Sequence, residues 1–348
     1  MKLPAQSVDR LRSHYQGLSV CVTGGAGFIG GHLVDALHSL GAVVTVIDDL
    51  SNSDLEHLAG LIDMDPARVR FVEGSVLDDD ALDSAICARG VGGAFGPAAV
   101  VFHLAALGSV PLSIAEPQRN WSVNATGTLR VLEACRRAST QRVMFAASSS
   151  AYGDPPGAGK AAKVETLTPM PLSPYAAGKL AGENLLAVYA HCYGLSTVSL
   201  RYFNIFGPRQ SADSAYAAVI AAITKRLLEG TPPVIYGDGR QTRDFTFVAN
   251  AVLATLLAGA SDKPLKGEVI NVGTGRRISV LELCEHLAKA CDKVGITPTF
   301  EPARTGDVRD SLADITRARQ LLGYEPFATL EDGLKETVEW SKKVPARA

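Results

Sequence analysis

Short, almost uninterrupted apolar runs recur through the first two-thirds of the chain, at Ser19–Thr23, Val43–Ile47, Val69–Val72, Ala99–Leu104, Arg142–Ala147 and Ser196–Arg201. Each is too short for a helix of ordinary length and is predicted to be a strand buried on both faces. Between them lie helix-length segments, predicted near 28–40, 79–88, 117–138 and 173–193. Strands alternating with helices point to an α/β fold, a Rossmann-like doubly wound parallel sheet. Beyond about Phe203 the regularity weakens, with Gly and Pro punctuating 207–213, 230–239, 264–275 and 302–306 before a helical segment from Ser279. The expected organisation is a sheet domain over 18–203. A smaller α/β domain, mainly over 204–348, sends segments back to the first.

Composition narrows the function classes. Of 348 residues, 47% are hydrophobic and 20% charged, an ordinary globular balance. The formal net charge is −2 without a long Lys/Arg run, so a nucleic-acid partner is not expected. Six scattered cysteines without a C-x-x-C pair suit reduced thiols, not a disulfide framework or a metal site. The first 17 residues lack the apolar core of a signal peptide. Residues 90–115 carry no Asp, Glu, Lys or Arg and have the length of a bilayer span. Their glycines and prolines, with His103, instead read as a buried strand between loops. A cytoplasmic protein with no membrane partner is expected.

The chemistry starts where Val20-Cys21-Val22-Thr23 breaks into Gly24-Gly25-Ala26-Gly27-Phe28-Ile29-Gly30, directly before a helix. Glycines there let backbone approach a pyrophosphate, whose charge sits against free N–H groups at the helix start. The next strand ends at Asp48, 18 residues beyond Gly30, where a carboxylate accepts ribose hydroxyls and repels a 2′-phosphate. The pair favours NAD over NADP.

Tyr175-Ala176-Ala177-Gly178-Lys179 places a phenol and an ammonium one helical turn apart on one face. A nearby cation stabilises phenolate and makes tyrosine a usable base. By itself this spacing is a common solvated helix face. Upstream, the strand Arg142–Ala147 runs into Ser148-Ser149-Ser150, at the strand end where such a sheet holds its ligand.

Taken together and in this order, the glycine motif, serine cluster and Y-x-x-x-K resemble extended short-chain dehydrogenase/reductases, and among them nucleotide-sugar 4-epimerases. Further matching segments are Leu104-Ala105-Ala106, Asn124 with Gly127-Thr128, Arg201-Tyr202-Phe203-Asn204, Phe206-Gly207-Pro208-Arg209, Gly237-Asp238-Gly239 with Arg243-Asp244, and Arg304 with Gly306-Asp307. The resemblance implies that Tyr175 takes the 4-hydroxyl proton while C4 gives a hydride to NAD. It implies that Lys179 binds the nicotinamide ribose and tunes Tyr175, and that Ser148 hydrogen-bonds the sugar O4. A transient 4-keto sugar then turns over and takes the hydride back. NAD is expected against Gly24, Gly27, Phe28, Ile29, Gly30, Asp48, Leu104, Ala105, Ala106, Asn124, Tyr175 and Lys179. A UDP-sugar is expected against Ser109, Ser149, Ser150, Asn204, Tyr236, Arg243, Arg304, Asp307 and Ser311. The resemblance also implies a homodimer.

Members that eliminate water place Asp-Glu where Ser149-Ser150 stand, and UDP-glucuronate decarboxylases carry Glu at the Ser150 position. This chain has neither, which favours simple epimerisation. Leu107–Pro111 and Gly306–Asp314 resemble bacterial epimerases of UDP-N-acetylhexosamines, and Ser311 stands where galactose-restricted members carry a bulky Tyr. UDP-GlcNAc and UDP-GalNAc are therefore the expected substrates. The alternatives are UDP-glucose or UDP-glucuronate 4-epimerisation, and a non-catalytic NAD-dependent sensor on the same fold.

Overall fold

A computed structural model of the chain describes residues 3–154, 161–211, 219–303 and 308–343. Helix α1 (Ala5–Tyr15) precedes β1 (Ser19–Thr23), α2 (Phe28–Ser39), β2 (Val43–Asp48), α3 (Glu56–Met64) and β3 (Val69–Glu73). Then come α4 (Asp79–Ile86), β4 (Val100–His103), α5 (Val110–Ala115), α6 (Pro117–Trp121), α7 (Gly127–Arg137), β5 (Arg142–Ser148), α8 (Pro174–Tyr193) and β6 (Ser196–Tyr202). The remainder holds β7 (Ile205–Phe206), α9 (Val219–Leu228), β8 (Val234–Tyr236), β9 (Thr242–Arg243), β10 (Thr246–Phe247), α10 (Val248–Gly259) and β11 (Lys266–Val272). It ends with β12 (Ile278–Ser279), α11 (Val280–Ala290), β13 (Thr299–Glu301), α12 (Thr316–Leu322) and α13 (Leu330–Lys343).

All six predicted strands pair in parallel within a seven-stranded sheet of order β11-β6-β5-β4-β1-β2-β3. Successive side chains serve opposite faces. Val20 and Val22 of β1 join Phe102 and Met144 against α2 and α10, while Cys21 joins Val101, Val143 and Phe145 against α4, α7 and α8. In register, Thr23 stands beside Ile47 and His103, and Ser148 beside Tyr202. The strand order reverses between β1 and β4, and a ligand crevice forms outside the strand ends at such a switch point.

Three departures from the sequence reading have physical causes. The seventh strand, β11, comes from a stretch read as irregular and adds to the far edge beside β6. Helix α10 is buried at all twelve positions and so has no polar stripe to give it a helical period. The predicted helix 117–138 is interrupted: α6 ends at Trp121 and a π-helical turn occupies Ser122–Thr126 before α7. No helix among the described residues is long and apolar enough to cross a membrane. Residues 90–115 form loops around β4 and the short α5.

Candidate active site

The glycine turn is shaped by close backbone contact. Gly24 has φ +71°, and a Cβ there would meet the Ala105 nitrogen at 2.6 Å; a Cβ on Gly30 would meet the Gly24 carbonyl oxygen at 2.0 Å. These two positions require glycine to bring the turn onto β4 and α2. At Gly27, in contrast, a Cβ would meet only the Gly24 oxygen, at 3.3 Å. Its missing side chain leaves the mouth of the turn clear in front of the N-terminus of α2, where backbone N–H groups lack helical partners. Asp48 closes the loop. Its Oδ2 accepts the Ala26 N–H at 3.0 Å, and its Oδ1 accepts from the Leu50 N–H and the Ser53 hydroxyl, each at 3.0 Å. Burial raises its carboxyl pKa while these donors lower it.

Behind the turn runs a buried relay. The Ala105 N–H donates to Thr23 Oγ1 at 3.2 Å, Thr23 Oγ1 lies 2.7 Å from His103 Nδ1, and His103 Nε2 lies 3.0 Å from Thr128 Oγ1. Thr128 donates its own proton to the Asn124 carbonyl at 2.7 Å. Thr128 therefore accepts from Nε2–H, so Nδ1 accepts from Thr23. Burial pushes the His103 pKa down to about 3, which keeps the ring neutral. Asn124, in the π-helical turn, accepts the Leu107 N–H at 2.9 Å and donates to the Leu107 carbonyl at 3.2 Å. It thus holds the Leu104–Leu107 wall from behind, and does not itself line the cleft.

The catalytic candidates converge from β5 and α8. Helix α8 begins at Pro174 behind its N-cap Ser173, whose Oγ accepts the Ala176 N–H. Gly182 lets the helix sit on the sheet, because a Cβ there would meet the Phe145 ring at 2.5 Å. That approach sets the Lys179 ammonium 4.7 Å from the Phe145 ring centroid, with a hydrogen bond of 2.7 Å to the Ala146 carbonyl. Burial lowers the Lys179 pKa to about 7, opposed by Glu183, whose carboxylate is itself clamped by the Arg201 guanidinium at 2.8 and 2.6 Å. Ser150 donates its hydroxyl to Ser148 Oγ at 2.8 Å, and Ser148 and the Tyr175 phenol line the same part of the cleft. Burial raises the Tyr175 pKa, and the neighbouring Ser148 hydroxyl opposes that rise. The lowering influence thus comes from Ser148, while Lys179 spends a proton on Ala146.

The glycine turn, Asp48, the serine cluster, Tyr175 and Lys179 border one cleft of about 700 Å³. At one end it is lined by Gly24, Gly27, Phe28, Ile29, Gly30 and Asp48. Leu104, Ala105, Ala106, Ser148, Ser149, Ser150, Tyr175 and Lys179 line its middle, and Asn204, Arg243 and Ser311 its far end. Asn204 adopts φ +39° and donates to the Asp244 carbonyl at 3.2 Å. The buried Asp244 carboxylate in turn accepts from Thr274, Gly275 and Ala313, tying together the loops that carry Arg243 and Ser311. Ser311 is 7% exposed and donates its N–H to the Thr242 carbonyl at 3.1 Å. Ser109 does not line the cleft: its hydroxyl caps α5 by accepting the Leu112 N–H. Tyr236, on β8, does not line it either. Arg304 and Asp307 lie outside the described residues. Lys163 and Gln210 line the cleft without a sequence signal, since neither belongs to a spaced motif.

The residues fit a dinucleotide. An open glycine mouth faces a helix N-terminus, a carboxylate stands at the end of β2, and a buried lysine lies deeper in the same cleft.

A model of the NAD dependent epimerase/dehydratase family matches residues 20–273. The UDP-glucose 4-epimerase of Mycolicibacterium smegmatis is 40% identical over 322 residues, which cover 92% of this chain and 97% of that one. Among solved structures, the chain is similar to the UDP-N-acetylglucosamine 4-epimerase of Methanobrevibacter ruminantium in complex with UDP-N-acetylmuramic acid. That similarity has a TM-score of 0.82 and 37% identity, covering 94% of this chain and 99% of that one. The Thermus thermophilus UDP-glucose 4-epimerase complex with NAD also has a TM-score of 0.82, with 34% identity over 94% of this chain and all of that one. With its glycine turn, serine cluster and Tyr175/Lys179 pair set in one cleft, the chain belongs to the NAD dependent epimerase/dehydratase family.

Proposed function

We propose that this NAD-dependent epimerase inverts C4 of UDP-N-acetylglucosamine and UDP-N-acetylgalactosamine. The observation that carries the reaction type is the composition of the cleft. Among the described residues lining it, the only carboxylates are Asp48 and Asp49, at the ribose end. Beside Tyr175 stand Ser148, Ser149 and Ser150, so the reacting end has hydroxyls and a phenol but no acid to drive elimination. Bound NAD supplies a hydride acceptor that returns what it takes. Tyr175 accepts the 4-hydroxyl proton at its phenol oxygen, with Ser148 hydrogen-bonding both that phenol and the sugar O4. Lys179 holds the nicotinamide ribose and adds positive charge beside the phenol.

Asn204, Arg243, Arg304 and Asp307 are assigned to the diphosphate and sugar, with guanidinium forks suited to phosphate. Tyr236 is assigned to the uracil and Ser109 to the sugar-side loop. Ser311, small and in the cleft wall, supports the N-acetylated sugar because it leaves room where a larger side chain would fill the pocket. We further assign cofactor binding mainly to 18–203 and substrate binding mainly to 204–348. A cytoplasmic homodimer is part of the same proposal; Leu129 of α7 and Val188 of α8 are exposed and apolar, as a helix-pair interface requires.

Incubation with UDP-GlcNAc, followed by NMR of the H4 resonances, tests the reading. Appearance of UDP-GalNAc is the expected result. NAD binding without turnover of any UDP-sugar would leave a sensor instead.

A further inference from the structure

Lys163 is a buried charged group of the cleft that the proposed reaction leaves unused. It is 5% exposed, yet its side chain lines the cleft together with Ser149, Ser150, Arg243 and Ser311. The backbone fixes its place. Its N–H donates to the Leu312 carbonyl at 2.8 Å, and its carbonyl accepts from the Asp314 N–H at 3.1 Å and from Asn271 Nδ2 at 2.8 Å. The ammonium donates to the Gly153 carbonyl at 2.7 Å and lies 5.8 Å from the Tyr152 ring centroid. No carboxylate among the described residues forms an ion pair with it. Asp154 and Asp310 act on it only at longer range, and Thr242 already occupies an Asp310 oxygen at 2.6 Å.

A buried ammonium with one carbonyl acceptor and no ion-pair partner among the described residues keeps protons to donate, and such a charge is costly until an anion joins it. Arg243 serves the diphosphate in the reading above, which leaves Lys163 at the sugar end beside the Ser311 loop. We propose that Lys163 recognises a carboxylate on the sugar, so that the site favours a UDP-hexuronate over the corresponding neutral UDP-hexose. A carboxylate at C6 and an acetamido group at C2 are compatible in one sugar, so this refines the substrate class and leaves the Ser311 argument intact. It rests on the UDP-sugar reading of the cleft.

Calorimetric binding to the NAD-containing protein tests it with UDP-glucuronate and UDP-glucose as probes. Wild type is expected to bind the uronate at least about tenfold more tightly, as a desolvated charge pair does. Lys163→Met is expected to bring that ratio close to one, chiefly by weakening the uronate, while NAD content and melting temperature report its folding. Equal affinities in wild type, or an unchanged ratio in folded Lys163→Met, overturn the proposal. If Lys163→Met does not fold, the wild-type ratio decides alone. Failure of both probes to bind overturns this proposal together with the UDP-sugar reading. A uronate preference without C4 inversion sinks only the epimerase reading.

Discussion

The hydroxyl of Thr23 lies 2.7 Å from Nδ1 of His103, and this contact couples the strand that enters the glycine turn to the strand that carries the Ala105 wall. Because His103 is held neutral down to about pH 3, against an unfolded value near 6.5, only the unfolded chain gains its proton in between. Its contribution to stability is complete above pH 6.5 and is lost as pH falls toward 3, at up to about 1.4 kcal/mol per pH unit. His32, pushed down to about 4 by burial, acts in the same direction. His103→Gln should therefore flatten, without abolishing, the fall in denaturant-derived stability between roughly pH 6 and 4. A variant with the wild-type slope would show that the ring is not kept neutral.

Tyr175→Phe should lose about 10²- to 10⁴-fold in kcat, the usual range for a general acid–base group, while UDP-sugar binding persists. Ser150→Ala offers a gentler perturbation, because it removes one hydrogen bond to Ser148, the residue whose hydroxyl lowers the phenol pKa. It should lower kcat by less and displace the ascending, low-pH limb of the pH profile upward, since the phenol that acts as base loses an indirect stabiliser of its ionised form. Near-normal turnover in Tyr175→Phe would remove the assigned role.

Much of this site was legible because its signals are local. A glycine turn after an apolar strand, an acid at the next strand end and a phenol four residues before a lysine each depend on spacing along one element. Lys163 and Gln210 were not legible, because they reach the cleft through chain reversals that place 163 beside 312–314 and bring Arg209, next to Gln210, onto Asp35 of the glycine helix. Asn124 was matched to the cofactor by motif, yet it acts from behind the wall through Leu107. Ser109 similarly caps α5, a use that a serine before Val-Pro can serve as readily as a ligand contact. Helix α10 escaped notice for the opposite reason: complete burial erased the amphipathic period that identifies a helix.

The purified protein should carry NAD and not NADP, released on denaturation and identified by mass. Asp48 is already committed to Ala26, Leu50 and Ser53, so a 2′-phosphate would meet a carboxylate held in place by its own loop. Asp48→Ala should reduce NAD occupancy and also loosen the 48–53 loop, with a stability loss of about 1–3 kcal/mol from the buried donors left unpaired. Recovery of NADP from wild type would contradict the role given to this acid.

Ser311→Tyr tests the sugar pocket. Ser311 is almost fully buried, its N–H is fixed on the Thr242 carbonyl at 3.1 Å, and its side chain borders the same cleft as Ser149, Ser150 and Asn204. With the backbone held, a phenol at this position has to extend into the cleft or displace its neighbours. Overpacking of this kind costs about 1–3 kcal/mol. If the lost space is where a 2-acetamido group sits, UDP-GlcNAc and UDP-GalNAc bear the cost and UDP-glucose and UDP-galactose are spared. The expected change is roughly 5- to 150-fold in the ratio of kcat/KM values between the two sugar types. The ratio is the informative quantity, because a distorted 308–314 segment lowers turnover of every sugar alike. An unchanged ratio in a folded, NAD-containing variant would show that Ser311 does not bound the acetamido pocket, and with it would go the main support for N-acetylated substrates.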